Sequence, residues 1–383
     1  MTEGPRPDFR ILHTHLAADP STSQAWHNDP ATMSGPLKVA VLDDYQGFAE
    51  PIFQKLDGSK FQVTIFNDTL RPYNHPGTSQ DEKEKLVKRL EPFNIICTMR
   101  ERTPFPKDLI TRLPNLKLLL TSGLRNYALD LPTFSERGIP VAGAKSSGDS
   151  TVHHCVAMIL ALARNIVTDD QSVKSGGWQT GVAVKLPGAT LGVVGLGRLG
   201  LALAKIMHSA FGLKVIAWSP NLTQEKADEQ AKEVGLAVET DGEKTFRVVS
   251  KDQLFRESDV LSVHVVLSDR SRGMIGKKEL GLMKPDAIFV NTSRGPIVVD
   301  EDLQDVLNRG KIRAAAMDVF ELEPLPLDDP WRTTKWGEDG RSQVLLTPHT
   351  GYAEKEKLTA WYEDQVANIL RWEQGDVLAN IMA

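Results

Sequence analysis

The chain has 383 residues, a length that predicts two or three domains, and its 41% hydrophobic and 25% charged residues are those of an ordinary soluble protein with a sizeable core. Against 50 Asp and Glu stand 45 Lys and Arg, a formal net charge of −5 that argues against nucleic acid as the main partner, since phosphate contacts need clustered cations. No apolar run nears the roughly 20 residues that span a bilayer, no signal pattern opens the chain, and Cys97 and Cys155 lack paired spacing, so a cytoplasmic protein without membrane, disulfide or zinc site is expected.

Residues 1–36 read as an N-terminal extension, rich in Pro, Asp, Ser, Thr and His and without a period of 2 or 3.6. His13, His15 and His27 fit a solvated tail better than a metal tract, and no metal is expected anywhere in the chain. Order begins with a strand at Leu37–Leu42, which runs into Asp43-Asp44. A second strand is predicted at Phe61–Phe66. Asp81–Leu90 alternates charge as a solvated helix face does. Asn94–Cys97 and Leu116–Leu120 are further short apolar runs, and strands alternating with helices predict βα units in a parallel sheet.

A helix is predicted over Thr151–Ile166, with Val152, Val156, Ile159, Leu160 and Ala163 along one apolar face. Gly-rich Lys174–Pro187 reads as a linker. A second series then places strands at Leu191–Val194, Lys214–Trp218, Val260–Val266, Ala287–Asn291, Ala314–Asp318 and Val344–Leu346, and Glu354–Trp372 reads as a closing helix. The predicted fold class is α/β, two doubly wound parallel-sheet units joined by helices.

The run Leu191–Val194 leads directly into Gly195-Leu-Gly197-Arg198-Leu199-Gly200 and then a helix. Three spaced glycines are weak evidence alone, but strand, glycines and helix in this order form a dinucleotide fingerprint. Gly195 permits the tight turn, Gly197 lets the backbone approach a pyrophosphate, and Gly200 lets helix and strand pack closely. The helix N-terminus and Arg198 add favourable charge for phosphates. At the end of the next strand, where an acid would hold the ribose of NAD, stand Ser219 and Asn221. Either NAD or NADP is therefore compatible.

Arg294, Glu323 and His349 each follow a predicted strand, where the ligand crevice of an open α/β sheet lies. Together they suit reversible reduction of a 2-oxo acid: Arg294 to grip the carboxylate and polarise the carbonyl, His349 to donate a proton, Glu323 to orient the imidazole. Singly, each has an ordinary reading as a surface ion pair, a solvated loop acid or a buried histidine. Spacing alone does not bring them together.

The motifs Val193–Gly200 (VVGLGRLG), Met283–Gly295 (MKPDAIFVNTSRG), Ala316–Pro326 (AMDVFELEPLP) and Leu346–His349 (LTPH) resemble, in order, those of the D-isomer-specific 2-hydroxyacid dehydrogenase family. The resemblance runs from about Leu37 to near the C-terminus. It implies a flavodoxin-like substrate-binding domain at 37–150 plus 352–383 and an NAD(P)-binding Rossmann domain at 151–351. It also implies catalytic positions at Arg294, Glu323 and His349. Thr292 is assigned to the cofactor, Asp318 to the nicotinamide carboxamide, and the loop Ser122-Gly123-Leu124 to the substrate carboxylate. Arg100, in Met99–Thr103 (MRERT), is a specificity candidate, with a surface ion pair to Glu101 as the competing reading.

Within the family the chain looks like the glyoxylate and hydroxypyruvate reductases, and a homodimer built with the helix Val152–Ala163 is implied, although that helix reads equally as internal core. Several positions depart from the family pattern: Ser219 replaces an acid, His153 stands where many relatives carry Glu, and Leu327–Gln343 is long enough to read as a surface insertion. The chain ends without the regulatory domain of many phosphoglycerate dehydrogenases, and Glu323 differs from the Gln of formate dehydrogenase. Oxidation of another small oxyanion such as phosphite, and a non-catalytic dinucleotide-sensing corepressor, are the alternative functions.

Overall fold

Short Val-, Ile- and Leu-rich runs bounded by Gly, Pro or Asp make every strand brief, and wholly buried ones such as Ile95–Thr98 and Ile288–Asn291 require a sheet covered on both faces. The computed structural model describes residues 35–145 and 148–383; the N-terminal histidines lie outside the described residues.

β1 (Leu37–Val41), β2 (Phe61–Ile65), β3 (Ile95–Thr98), β4 (Leu118–Ser122) and β5 (Val141–Ala144) form one parallel sheet in the order β2-β1-β3-β4-β5. The second sheet begins at β6 (Thr190–Val194) and β7 (Lys214–Trp218). After a small hairpin of β8 (Glu239–Thr240) and β9 (Glu243–Lys244), it continues with β10 (Phe246–Val248), β11 (Val260–Val263), β12 (Ile288–Asn291), β13 (Ala314–Met317) and β14 (Gln343–Leu346). Its order is β10-β7-β6-β11-β12-β13-β14, parallel throughout. These are the flavodoxin-like and Rossmann orders, and each reverses direction once, between β1 and β3 and between β6 and β11. Crevices open at those switch points beyond the strand carboxyl ends.

β5 and β10 escape sequence reading because one is built from small residues and the other spans three. β11 stops at Val263 rather than Val266, where the chain leaves the sheet to cross Gly195. The predicted helix over Thr151–Ile166 ends at Ala163; Asn165, with φ of 54°, turns the chain into a second helix, Ile166–Lys174. Among the described residues no single helix is long and apolar enough to cross a membrane. That bent pair passes the test only together, kinked by 60°.

Val152, Cys155, Met158, Ile159 and Leu162 of the helix Ser150–Ala163 are buried against Leu203 and Met207 and the face of the second sheet. Its Val152, Ile159 and Ala163 thus belong to the internal core, one of the two readings of this helix, while Val156 and Leu160 are only partly buried. The closing helix, Lys355–Gln374, returns to the first sheet and packs Trp361, Tyr362, Ile369 and Trp372 among Val39, Ile95 and Leu118. Beyond it, Met382 and Ala383 hydrogen-bond Val141 at the sheet edge.

The stretch Leu327–Gln343 is not a mere surface insertion. Trp331 is buried in the core of the second sheet, its ring centroid 6.4 Å from that of Phe320 and 5.7 Å from that of Trp336. Two indoles bury more apolar area than a solvated loop could leave exposed, and their N–H groups find Asp300 and the Trp331 carbonyl. The plug therefore sits behind Phe320, in the loop that carries Glu323.

Candidate active site

The nucleotide loop follows β6. Gly195, at φ +100°, donates its N–H to the Trp218 carbonyl, and a Cβ there would lie 3.0 Å from the Val265 nitrogen. A Cβ on Gly200 would lie 2.1 Å from the Gly195 oxygen, so the helix Arg198–Phe211 meets the strand only if this residue is glycine. Gly197 faces open space, leaving the N-terminus of that helix free to receive a pyrophosphate. Arg198 is exposed and pairs with Asp149 at 3.1 Å, while Leu199 is half-buried against the core. Ser219 and Asn221 lie beyond β7, with Lys226 donating to the Asn221 carbonyl.

Thr292 is buried after β12, and its hydroxyl has no partner among the described residues. Asp318 is buried after β13. Its carboxylate accepts from the Thr347 hydroxyl at 2.6 Å, the Thr350 N–H at 2.9 Å and the Gly351 N–H at 3.0 Å, and it stands 3.3 Å from His154 Nε2. Burial opposes its charge, but His154 and Thr347 outweigh it and hold the carboxyl below its usual range. His154, not the exposed His153, is thus the imidazole that reaches this site. Among the described residues, no group of three His, Cys, Asp or Glu side chains is placed to hold a metal ion.

Glu323 and His349 meet. His349 Nδ1 lies 2.6 Å from Glu323 Oε2, and Glu323 Oε1 accepts the Phe320 N–H at 2.9 Å, which fixes both carboxylate oxygens. Burial disfavours the Glu323 charge, but the facing imidazole and the Arg102 guanidinium hold its carboxyl below the usual range. His349 itself has φ of 51°, a left-handed backbone.

Arg294 stands on the turn after β12. Gly295 makes the turn possible, since a Cβ there would lie 2.0 Å from the Phe320 carbonyl carbon. The guanidinium donates to Glu101 Oε1 at 3.0 Å. It does not touch the dyad directly; one loop of the first sheet connects them. From Met99–Phe105, Glu101 reaches Arg294, while Arg102 donates to the His349 carbonyl at 2.9 Å and to Glu323 Oε2 at 3.4 Å.

Arg100 forms the ion pair with Glu101 and also lies against the Gly123 loop. Its Nε lies 3.5 Å from Glu101, and its Nη1 lies 2.5 Å from where a Cβ on Gly123 would sit. Its N–H donates to Ser122 Oγ at 2.8 Å, so Arg100, Ser122 and Gly123 form one wall, with Leu124 exposed at its lip. Sequence reading missed Glu101, Arg102, His154, Tyr45 and Tyr352. The signal for the first two was present: Met99–Thr103 lies at the carboxyl end of β3, so by the switch-point rule the whole motif faces the crevice.

Residues 156–351, about half of the chain, match the family profile described as "D-isomer specific 2-hydroxyacid dehydrogenase, NAD binding domain". The chain belongs to the D-isomer-specific 2-hydroxyacid dehydrogenase family. This dehydrogenase is 33% identical over 286 residues to a glyoxylate reductase of Thermococcus litoralis, covering 72% of its own chain and 80% of that one. It is 29% identical over 307 residues to a hydroxypyruvate reductase of Blautia hydrogenotrophica, covering 78% and 88%. Among solved structures it resembles a phosphoglycerate oxidoreductase of Vibrio cholerae O395, with a TM-score of 0.74, 32% identity and 88% and 99% coverage. The dehydrogenase is thus an NAD(P)-dependent oxidoreductase of 2-hydroxy acids.

Proposed function

We propose that this dehydrogenase reduces a small 2-oxo acid, of the size of glyoxylate or hydroxypyruvate, to the corresponding D-2-hydroxy acid. The observation that carries the reading is the 2.6 Å His349–Glu323 pair beside the carboxyl edge of the Rossmann sheet. It commits Nδ1 to the carboxylate and leaves Nε2 for a substrate. NAD(P)H, when bound, supplies the hydride to the carbonyl carbon. His349 donates a proton to the oxygen as negative charge develops there, and Glu323 stabilises the imidazolium's charge and orientation. Arg294 exchanges Glu101 for the substrate carboxylate, which the backbone at Ser122–Leu124 and the Arg100 guanidinium also receive.

For the cofactor, Gly195, Gly197, Arg198, Leu199 and Gly200 form the pyrophosphate cradle, and Ser219 and Asn221 hydrogen-bond the ribose. Ser219 carries no charge to repel a 2′-phosphate, so the reading keeps both coenzymes. Thr292, just after β12, would serve the nicotinamide half, and Asp318 would serve it by fixing the loop Thr347–Gly351. Residues 37–150 with 352–383 act as the substrate-binding domain, and 151–351 as the NAD(P)-binding domain. Buried, unpaired Cys97 and Cys155 suit a cytoplasmic location.

The homodimer is assigned to the segment that continues from the helix Ser150–Ala163, together with Leu160 of that helix. Ile166, Val173, Trp178 and Val182 are exposed on one segment, Trp178 at 74% and Val182 at 81%. Beside Val182 opens a groove of 660 Å³ lined by Leu160, Val184, Pro187 and Phe211. Light scattering of the purified protein is expected to give a dimer, and of Trp178→Glu a monomer; a monomeric wild type removes this assignment.

The direct test is initial-rate oxidation of NADH and NADPH with glyoxylate, hydroxypyruvate, pyruvate and bulkier 2-oxo acids. A clear rate with a small acid is expected, and the ratio between coenzymes reports what Ser219 permits. Coenzyme binding without turnover of any acid sinks the reading.

A further inference from the structure

Arg102 crosses the cleft. It grows from the loop after β3, in the first sheet, yet its contacts lie on loops after β13 and β14 of the second. Its side chain is 7% exposed. Nη2 donates to the His349 carbonyl at 2.9 Å and lies 3.4 Å from the Tyr352 hydroxyl. Nη1 approaches, at 3.4 Å, the same Glu323 oxygen that faces His349 Nδ1. One planar guanidinium thus touches both members of the dyad, a carboxylate by one nitrogen and a peptide carbonyl by the other. A lysine ammonium, as a point charge, lacks this fork.

Two further features indicate that the position is built. The guanidinium lies over the Tyr45 ring at 5.5 Å and the Tyr352 ring at 5.7 Å, both on the first-sheet side of the cleft, and Tyr352 stacks on Trp361 at 5.8 Å. His349 is left-handed at φ 51°, a conformation a non-glycine residue keeps only where its surroundings hold it. The bond from Arg102 to its carbonyl is such a hold. Nearby acids leave its hydrogen bonds to the dyad: Asp43, which feels its charge, bonds Thr69 and Thr103, and Glu101 faces Arg294.

We infer that Arg102 is a positioning residue that assembles the His349–Glu323 dyad when the two units close on each other. The inference rests on His349 being the proton donor. Opening the cleft would withdraw the guanidinium and closure restore it, so the dyad is held in register in the closed arrangement.

The test uses Arg102→Ala and Arg102→Lys beside the wild type, with NADH and glyoxylate. Arg102→Ala is expected to lose roughly 10- to 100-fold in kcat, the penalty of a misplaced catalytic group, with KM and the NADH Kd within about threefold. Millimolar guanidinium chloride should restore part of that loss by refilling the space between the two tyrosines, an effect that a general loss of folding would not show. Arg102→Lys keeps charge and bulk and is read if the alanine variant does not fold; its kcat should fall while its Kd for NADH stays put. Unchanged kcat in both variants, or a loss that guanidinium does not relieve, overturns the inference.

A readout independent of turnover separates the two readings. Hydrogen exchange of the peptides 318–324 and 346–353 in the NADH complex should rise in Arg102→Ala. If exchange responds while the wild type turns over no 2-oxo acid, the tie stands and the proposed function fails. If the wild type is active and exchange is unmoved, the tie fails and the function stands.

Discussion

Beyond β12, β13 and β14, the seven-stranded sheet ends in loops that carry Arg294, Glu323 and His349 and hold them largely by bonds among themselves. The Asn291 side chain fixes the Arg294 turn through the Arg294 carbonyl and the Ser293 N–H, and the Phe320 N–H fixes Glu323. Beyond β1, β3 and β4, the five-stranded sheet ends in loops that carry Asp43, Arg100, Glu101, Arg102 and Gly123. Two of these, Glu101 and Arg102, make their polar contacts to residues of the other set. The difference is one of task. In the proposed mechanism one edge holds the groups whose chemistry serves any 2-oxo acid, and the other aligns those groups and selects the anion they meet.

The sharpest way to break this division is at His349. His349→Gln keeps a polar side chain near Glu323 but has no proton to give and take at neutral pH. Turnover of every 2-oxo acid should fall by about 10²–10⁴ alike, while NADH still binds. A variant that lost one substrate and kept another would mean that the imidazole also selects, and the two edges would no longer divide the work.

Glu101 probes the opposite edge. Burial works against its charge, but Arg294 and Arg100 outweigh this and hold its carboxyl below the usual range, so it is an anion sitting where a substrate carboxylate must arrive. Glu101→Gln keeps an acceptor for Arg294 and removes the competing charge. KM for glyoxylate should fall about fivefold, the worth of roughly 1 kcal/mol between partly screened charges, with kcat changed less. A raised KM would show instead that Glu101 orients Arg294 more than it competes.

These two edges were not equally readable from the sequence. The seven-stranded edge announces itself because its residues are tied to local devices: a glycine turn that no other residue fits, and polar residues directly after strands of Val, Ile and Ala. Arg294, Glu323 and His349 were therefore named as candidates before the contact between Glu323 and His349 was visible. In the five-stranded edge, Arg100, Glu101 and Arg102 are three charges in a row, and nothing local distinguishes the two aimed across the cleft. Their fates depend on a left-handed Arg100, at φ 53°, and on Tyr45 and Tyr352 arriving from distant parts of the chain. The tryptophan plug was missed for the same reason. A polar stretch with two indoles is solvated or buried according to what lies opposite, and Phe320 and Asp300 lie there only in the fold.

Asp43 offers the most local test, because it separates the placing of loops from catalysis. It is buried at the end of β1 in a left-handed conformation, accepting hydroxyls from Thr69 and Thr103. Burial pushes its carboxyl up to about 6 against the lowering pull of those hydroxyls and Arg102. Because the folded value lies above the unfolded one, the folded chain holds the extra proton between about pH 4 and 6. Stability should therefore fall as pH rises through that window, by on the order of 3 kcal/mol in all. Asn tolerates the left-handed backbone, and its amide can exchange hydrogen bonds with both threonine hydroxyls. Asp43→Asn should consequently lack this pH-dependent loss. Its Tm relative to wild type should climb from pH 4 to pH 7 and then level off. A constant Tm difference across that range would mean that Asp43 stays ionised in the fold, with its charge balanced by Arg102, and the guanidinium would then serve both edges of the cleft.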